Sequence, residues 1–104
     1  MSVSAERLDF MKAITAFDGR IDKMHMDFQK YCKGELFRMP NWERLEMDLI
    51  QFSRRKMSEI VIQKNLDRVL FKFQTRKKIW LRWADEFQRR GPEITAKDKG
   101  EGIG

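Results

Sequence analysis

Phe10, Ile14, Phe17, Ile21, Met24, Phe28 and Tyr31 recur at alternating steps of four and three. On a helix of 3.6 residues per turn they share one seam, with Phe10, Phe17, Met24 and Tyr31 at d positions and the others at a. A seam this long is stable only when another helix covers it. The pattern predicts a first helix over residues 4–33. Ser4 offers a cap to its free amides, Glu6 suits the positive end of its dipole, and Gly34 favours a left-handed stop. Such a rod is about 45 Å long. Pro40 prevents its continuation, so Gly34 to Pro40 is a connection.

A second helix is predicted over 41–62, with Asn41 as its cap and Glu43 in its first turn. Trp42, Leu45, Leu49 and Phe52 again keep a three-four-three spacing. The stripe then slips across Ser53-Arg54-Arg55-Lys56 before Met57 and Ile60, a stutter that marks a change of winding or of packing partner. Leu66, Val69, Leu70, Phe73, Trp80, Ala84 and Phe87 predict a third helix over 66–90, stopped by Gly91-Pro92. Residues 91–104 read as a disordered tail.

Two all-α architectures fit this pattern for a single domain over residues 1–90. A turn at Gln63-Lys64, with Asn65 and Asp67 capping a new helix, gives an antiparallel three-helix bundle. No Gly or Pro interrupts 41–90, however, so a rod of about 75 Å could pair with the first helix as a long helical hairpin. That hairpin would dimerise to cover its overhanging Val69, Phe73, Trp80 and Phe87.

Composition agrees with long amphipathic helices: of 104 residues, 41% are apolar and 37% charged, with six Gly and two Pro. The first residues have neither the basic nor the apolar region of a signal peptide. No run approaches the roughly 20 apolar residues of a membrane span. One Cys excludes an internal disulfide, so the expectation is a cytoplasmic protein without a transmembrane segment. Charge is uneven. Residues 54–90 hold twelve Lys/Arg against Glu59, Asp67, Asp85 and Glu86, a net +8, whereas residues 1–53 and 91–104 each carry −1.

Catalytic candidates are few. Asp18, His25 and Cys32 lie seven residues apart on one line of the first helix, about 10 Å between neighbours, too far to share a metal ion or form a nucleophile pair. Asp18, Asp22, Glu43 and Glu46 are spaced like ordinary surface charges, and no Gly-rich loop could cradle phosphate. The reading is a non-enzymatic chain with no cofactor.

The outside of the third helix is more informative. Lys64, Phe71, Lys78, Arg82 and Arg89 cluster opposite its core stripe. Lys72, Arg76, Ile79, Trp83 and Arg90 form a second ridge. Solvated faces seldom carry large apolar groups, and Arg and Trp dominate binding hot spots. Phe71, Lys72, Arg76, Ile79, Arg82 and Trp83 are therefore the candidate partner-binding residues. The expected partner is another protein, through a helical or acidic segment, with a homodimer also open. The alternative is nucleic acid bound by the basic segment 54–90, although no helix-turn-helix, zinc or RNA-recognition signature is present. Peripheral membrane association through basic residues and interfacial Trp is a third reading.

The first helix, Gly34-Glu35, and Asn41-Trp42-Glu43-Arg44-Leu45 running on to Arg54 or Arg55 together resemble the small flagellar type III export chaperones of the FliT and FlgN kind. The resemblance covers residues 8–87 and departs from that pattern in the Pro40 connection and the basic balance. It implies a cytosolic chaperone or adaptor that lends an apolar helical groove to an export substrate, and it assigns no individual binding residue.

Overall fold

The computed structural model describes residues 3–55 and 59–91, with side chains from residue 5 onward. Three helices form: α1 (Val3–Cys32), α2 (Trp42–Ser53) and α3 (Ile60–Arg90). The chain is all-α. The side chain of Ser4, Met57 and the tail beyond Gly91 lie outside the described residues.

α1 ends as its sequence predicts. Gly34 takes φ 83°, its N–H donates to the Tyr31 carbonyl at 3.0 Å, and the Glu35 N–H reaches the Lys30 carbonyl at 2.8 Å. This pair of bonds satisfies carbonyls that the helix end would leave unpaired. Asn41 caps α2, accepting a hydrogen bond at Oδ1 from the Arg44 N–H at 3.1 Å.

The break between the second and third helices corrects the expected boundaries. α2 stops at Ser53 rather than residue 62, and α3 starts at Ile60 rather than 66. Asn65 and Asp67 therefore lie inside α3 and cap nothing. α2 closes with tight bonds from the Arg54 and Arg55 N–H groups to the Gln51 and Phe52 carbonyls, while Ser53 Oγ donates to the Ile50 carbonyl. Heptad phase does not force the break, since Phe52, Leu66, Phe73 and Trp80 are separated by multiples of seven. The break lets α2 run back along α1, where Phe52 covers Phe10 and Phe17. Restarting at Ile60 turns Ile62 fully inward and leaves Ile60 and Val61 69% and 64% exposed. Ile62 thus begins the α3 core stripe, and Ile60, expected on the seam, lies outside it.

Cross-helix contacts fix the directions. Arg7 pairs with Glu59, Asp18 with Lys72, His25 with Trp80, and Tyr31 packs on Phe87. Sequence numbers rise together along this series, so the two long helices run parallel. α2 runs back between them: Phe52 packs on Phe10 and Phe17, Asp48 pairs with Arg20, and Glu46 near its start pairs with Lys77. The result is an up-down-up bundle whose largest interface joins α1 and α3. The long-rod hairpin does not form.

The core follows the expected seams. Phe10, Ile14, Ile21, Phe28 and Tyr31 from α1 meet Leu45, Leu49 and Phe52 from α2, and Ile62, Leu66, Val69, Phe73, Trp80 and Ala84 from α3. Phe17, Met24, Trp42, Leu70 and Phe87 pack partly buried against them. Trp80 is the centre of the upper half, with no exposed surface. It stacks on Phe28 with ring centroids 5.2 Å apart and meets Phe73 edge-on at 5.9 Å.

Ile21 has no exposed surface. Ile21→Ala should therefore cost about 2–5 kcal/mol. That is a large fraction of the roughly 5–15 kcal/mol that stabilises a domain. Asp22→Ala, at an exposed ion pair one residue away, should cost no more than about 1 kcal/mol. Chemical denaturation of both variants checks the seam; equal losses would reject it.

Candidate interaction surface of the third helix

The apolar stripe of α3 skips one layer between Phe73 and Trp80, where Arg76 and Lys77 stand instead. Both are half-buried, and they turn to opposite sides of the bundle. Lys77 leans toward α2: its ammonium lies 4.9 Å from the Trp42 ring centroid and 2.7 Å from Glu46 Oε2. Its methylene stem covers the core edge while the charge stays at the surface.

Arg76 turns to the other flank, beside α1, where a charged cluster joins the two long helices. Lys72 Nζ lies 2.7 Å from Asp18 and 2.8 Å from Asp22, with Arg68 at 3.9 Å from Asp18. The hydrogen bonds to Asp18 and Asp22 raise the Lys72 pKa above its ordinary value. Asp22 is held below the usual carboxylate range by the Lys72 hydrogen bond. Asp18, Asp22 and Glu46, which the spacing alone marks as ordinary surface charges, are thus cross-helix partners.

His25 completes this flank. The buried Trp80 indole N–H donates to His25 Nδ1 at 3.0 Å, and the Trp83 ring lies 5.1 Å from the imidazole. An Nδ1 that accepts a hydrogen bond carries no proton, so this contact selects neutral imidazole. Burial lowers the His25 pKa, and the positive charge of Arg76 lowers it further. Of the seven-residue row, His25 and Cys32 are thus packed into the bundle, while Asp18 is an ion-pair partner of α3. Among the described residues no three His, Cys, Asp or Glu side chains converge as metal ligands would.

The six candidate residues divide between two faces. Lys72, Arg76, Ile79 and Trp83 are half-buried on the α1 flank, where Lys72 is ion-paired and Trp83 packs against the core. Phe71 and Arg82 point outward with Lys64 and Lys78, and Phe71 is 74% exposed. Lys64, Lys78 and Arg82 have no ion pair among the described residues. None of the three tryptophans stands on this outward face: Trp80 is buried, and Trp42 and Trp83 pack on the core. No described helix is long and apolar enough to cross a membrane.

The His25–Trp80 hydrogen bond had no sequence signal, because 55 residues separate the pair. Heptad phase could have placed both near one seam, but not at the same height in a bundle of undetermined topology. No family model, curated protein or solved structure matches this chain.

The His25 geometry has a pH consequence. A folded-state pKa below the ordinary 6.5 means that the unfolded chain takes up a proton more readily than the folded one. This stabilising contribution is complete above about pH 6.5 and is lost as pH falls through the lowered folded value. Asp22 and Asp48, lowered from 3.8, act only in a more acidic window. His25→Gln keeps an acceptor for Trp80 and does not titrate. Melting temperatures should fall for the parent, but not for His25→Gln, as pH drops from about 7.5 through the range just below 6.5. Parallel declines would reject the assignment.

Proposed function

We propose that this protein is a non-enzymatic helical interaction module that binds another protein over the outward face of α3. The observation that carries this reading is Phe71, 74% exposed on a helix face with Lys64, Lys78 and Arg82 around it. Exposing a phenyl ring costs solubility, and a contact that buries it regains the hydrophobic free energy. The three cations remain available to carboxylates of a partner. They steer encounter and fix orientation, while the aromatic anchor supplies the short-range attraction.

The fitting partner is an acidic amphipathic helix that lays an apolar stripe over Phe71 and carboxylates beside the cations. A cytosolic adaptor or export chaperone is the specific form suggested by the resemblance of the first two helices to the flagellar chaperones. Recognition then centres on one exposed ring with a charged rim rather than on a deep groove. Lys72 and Trp83 act from behind this face, holding α3 in place against α1.

The alternative occupant of the same face is nucleic acid, with Phe71 stacking on a base and the cations on phosphates. Salt separates the two. Phosphate neutralisation gives a binding slope near 0.9 log unit per log unit of salt for each duplex phosphate contacted.

Affinity capture from the native cell with the parent, Phe71→Ser, and Lys78→Glu with Arg82→Glu tests the protein reading. One protein partner should be retained by the parent, lost with Phe71→Ser and weakened by the charge reversals, while helicity is unchanged. Trp83→Ala is the poorer probe, because it also removes packing. In parallel, mixed-sequence duplex and single-stranded DNA and RNA should bind more weakly than about 100 μM near physiological salt. Micromolar binding with a steep salt slope would replace the protein reading with the nucleic-acid one.

A further inference from the structure

We propose that the outward face of α2 is a self-association surface on which a second copy of this chain packs antiparallel about a two-fold axis. α2 buries Leu45, Leu49 and Phe52, and its opposite face carries Glu43, Met47, Ile50 and Arg54 at steps of four, three and four. Met47 is 58% and Ile50 42% exposed, an apolar pair at the middle of a short helix. With Glu46 and Gln51 they line a shallow open trough along it. Glu43 and Arg54 close the stripe at its two ends, and neither has an ion pair among the described residues.

The order of these residues identifies the occupant. The stripe has opposite charges at its ends, and its four residues are placed symmetrically about the midpoint between Asp48 and Leu49. A two-fold axis through that midpoint sets Met47 against the partner's Ile50, and Glu43 against the partner's Arg54. Each contact occurs twice, as an isologous interface requires. The alternation matches the a-to-d pairing of antiparallel helices, with apolar residues in the two central layers and ion pairs in the outer ones.

Other arrangements of two copies are disfavoured by charge. A parallel pairing of α2 helices sets Glu43 against Glu43 and Arg54 against Arg54. Pairing through α3 sets Lys64, Lys78 and Arg82 against a second set of cations. Of these three contacts, the antiparallel α2 one is complementary to itself. It leaves the α3 face of both copies open, so it stands independently of the partner reading given above. A contact about 18 Å long and one helix wide falls below the roughly 800 Å² per partner of a standard interface, and the dimer is correspondingly weak.

Sedimentation equilibrium from about 10 μM to 1 mM tests the proposal, a range chosen for a weak interface. The parent should move from 12.6 kDa toward twice that mass as concentration rises. Glu43→Arg and Arg54→Glu should each remain monomeric, because each sets like charges opposite one another twice. Mixing these two variants should restore association as a heterodimer, since the stripe of one then ends in two arginines and that of the other in two glutamates. The double variant E43R/R54E should associate like the parent. All the changes are at exposed positions, and circular dichroism checks that the helices remain. A parent that stays monomeric throughout overturns the proposal. So does a dimer indifferent to either reversal, or a mixture of the two variants that fails to associate.

Discussion

Burial of two long apolar stripes against each other in parallel is the constraint on which the structure depends. α1 and α3 contain 30 and 31 residues, each a rod of about 45 Å. Because they run in the same direction, the chain must return nearly the full length of the bundle between Cys32 and Ile60. A turn of a few residues cannot make that return. α2 makes part of it as a helix and uses its own stripe to cover Phe10 and Phe17. Its break from α3 follows from the same constraint: α2 runs opposite to α3, so the chain must turn between Ser53 and Ile60.

Polar groups are placed where this packing leaves edges. At the layer of Arg76 and Lys77 the α3 stripe has no apolar residue, and the two stems cover the core from either side. Their partners come from different helices, Glu46 on α2 and the charged flank of α1, so the layer favours one relative height of all three. The hydrogen bond from Trp80 to His25 adds a directional contact between α1 and α3 in the upper half. Exposed ion pairs add little free energy individually, but a shifted register would separate several at once.

The same packing divides the surface into regions of different chemistry. The flank between α1 and α3 is closed by its own ion pairs and by Trp83. The outward face of α3 carries cations around Phe71 that have no ion pair among the described residues, and that of α2 carries a short apolar pair between opposite charges. Recognition of a dissimilar partner suits the first of these open faces; self-recognition suits the second. Helices with one buried and one exposed stripe leave such faces wherever the bundle has only three members.

The sequence by itself determined the helical class, the seam of α1, the caps at Gly34 and Asn41, and most of the core. These follow from side-chain spacing and local backbone preference, which act within a few residues. The outward position of Phe71 was legible for the same reason. Tertiary structure alone decided that α1 and α3 run parallel, that α2 ends at Ser53, and that Ile62 rather than Ile60 enters the core. Asn65 and Asp67 show why: their weak preference for a helix start yields to the burial of Ile62 and Leu66. The pairing of Lys72 with Asp18 and Asp22, and of Trp80 with His25, required the relative height of residues 50 to 55 positions apart in the chain. Periodicity gives each helix its face, but only packing gives that face a neighbour.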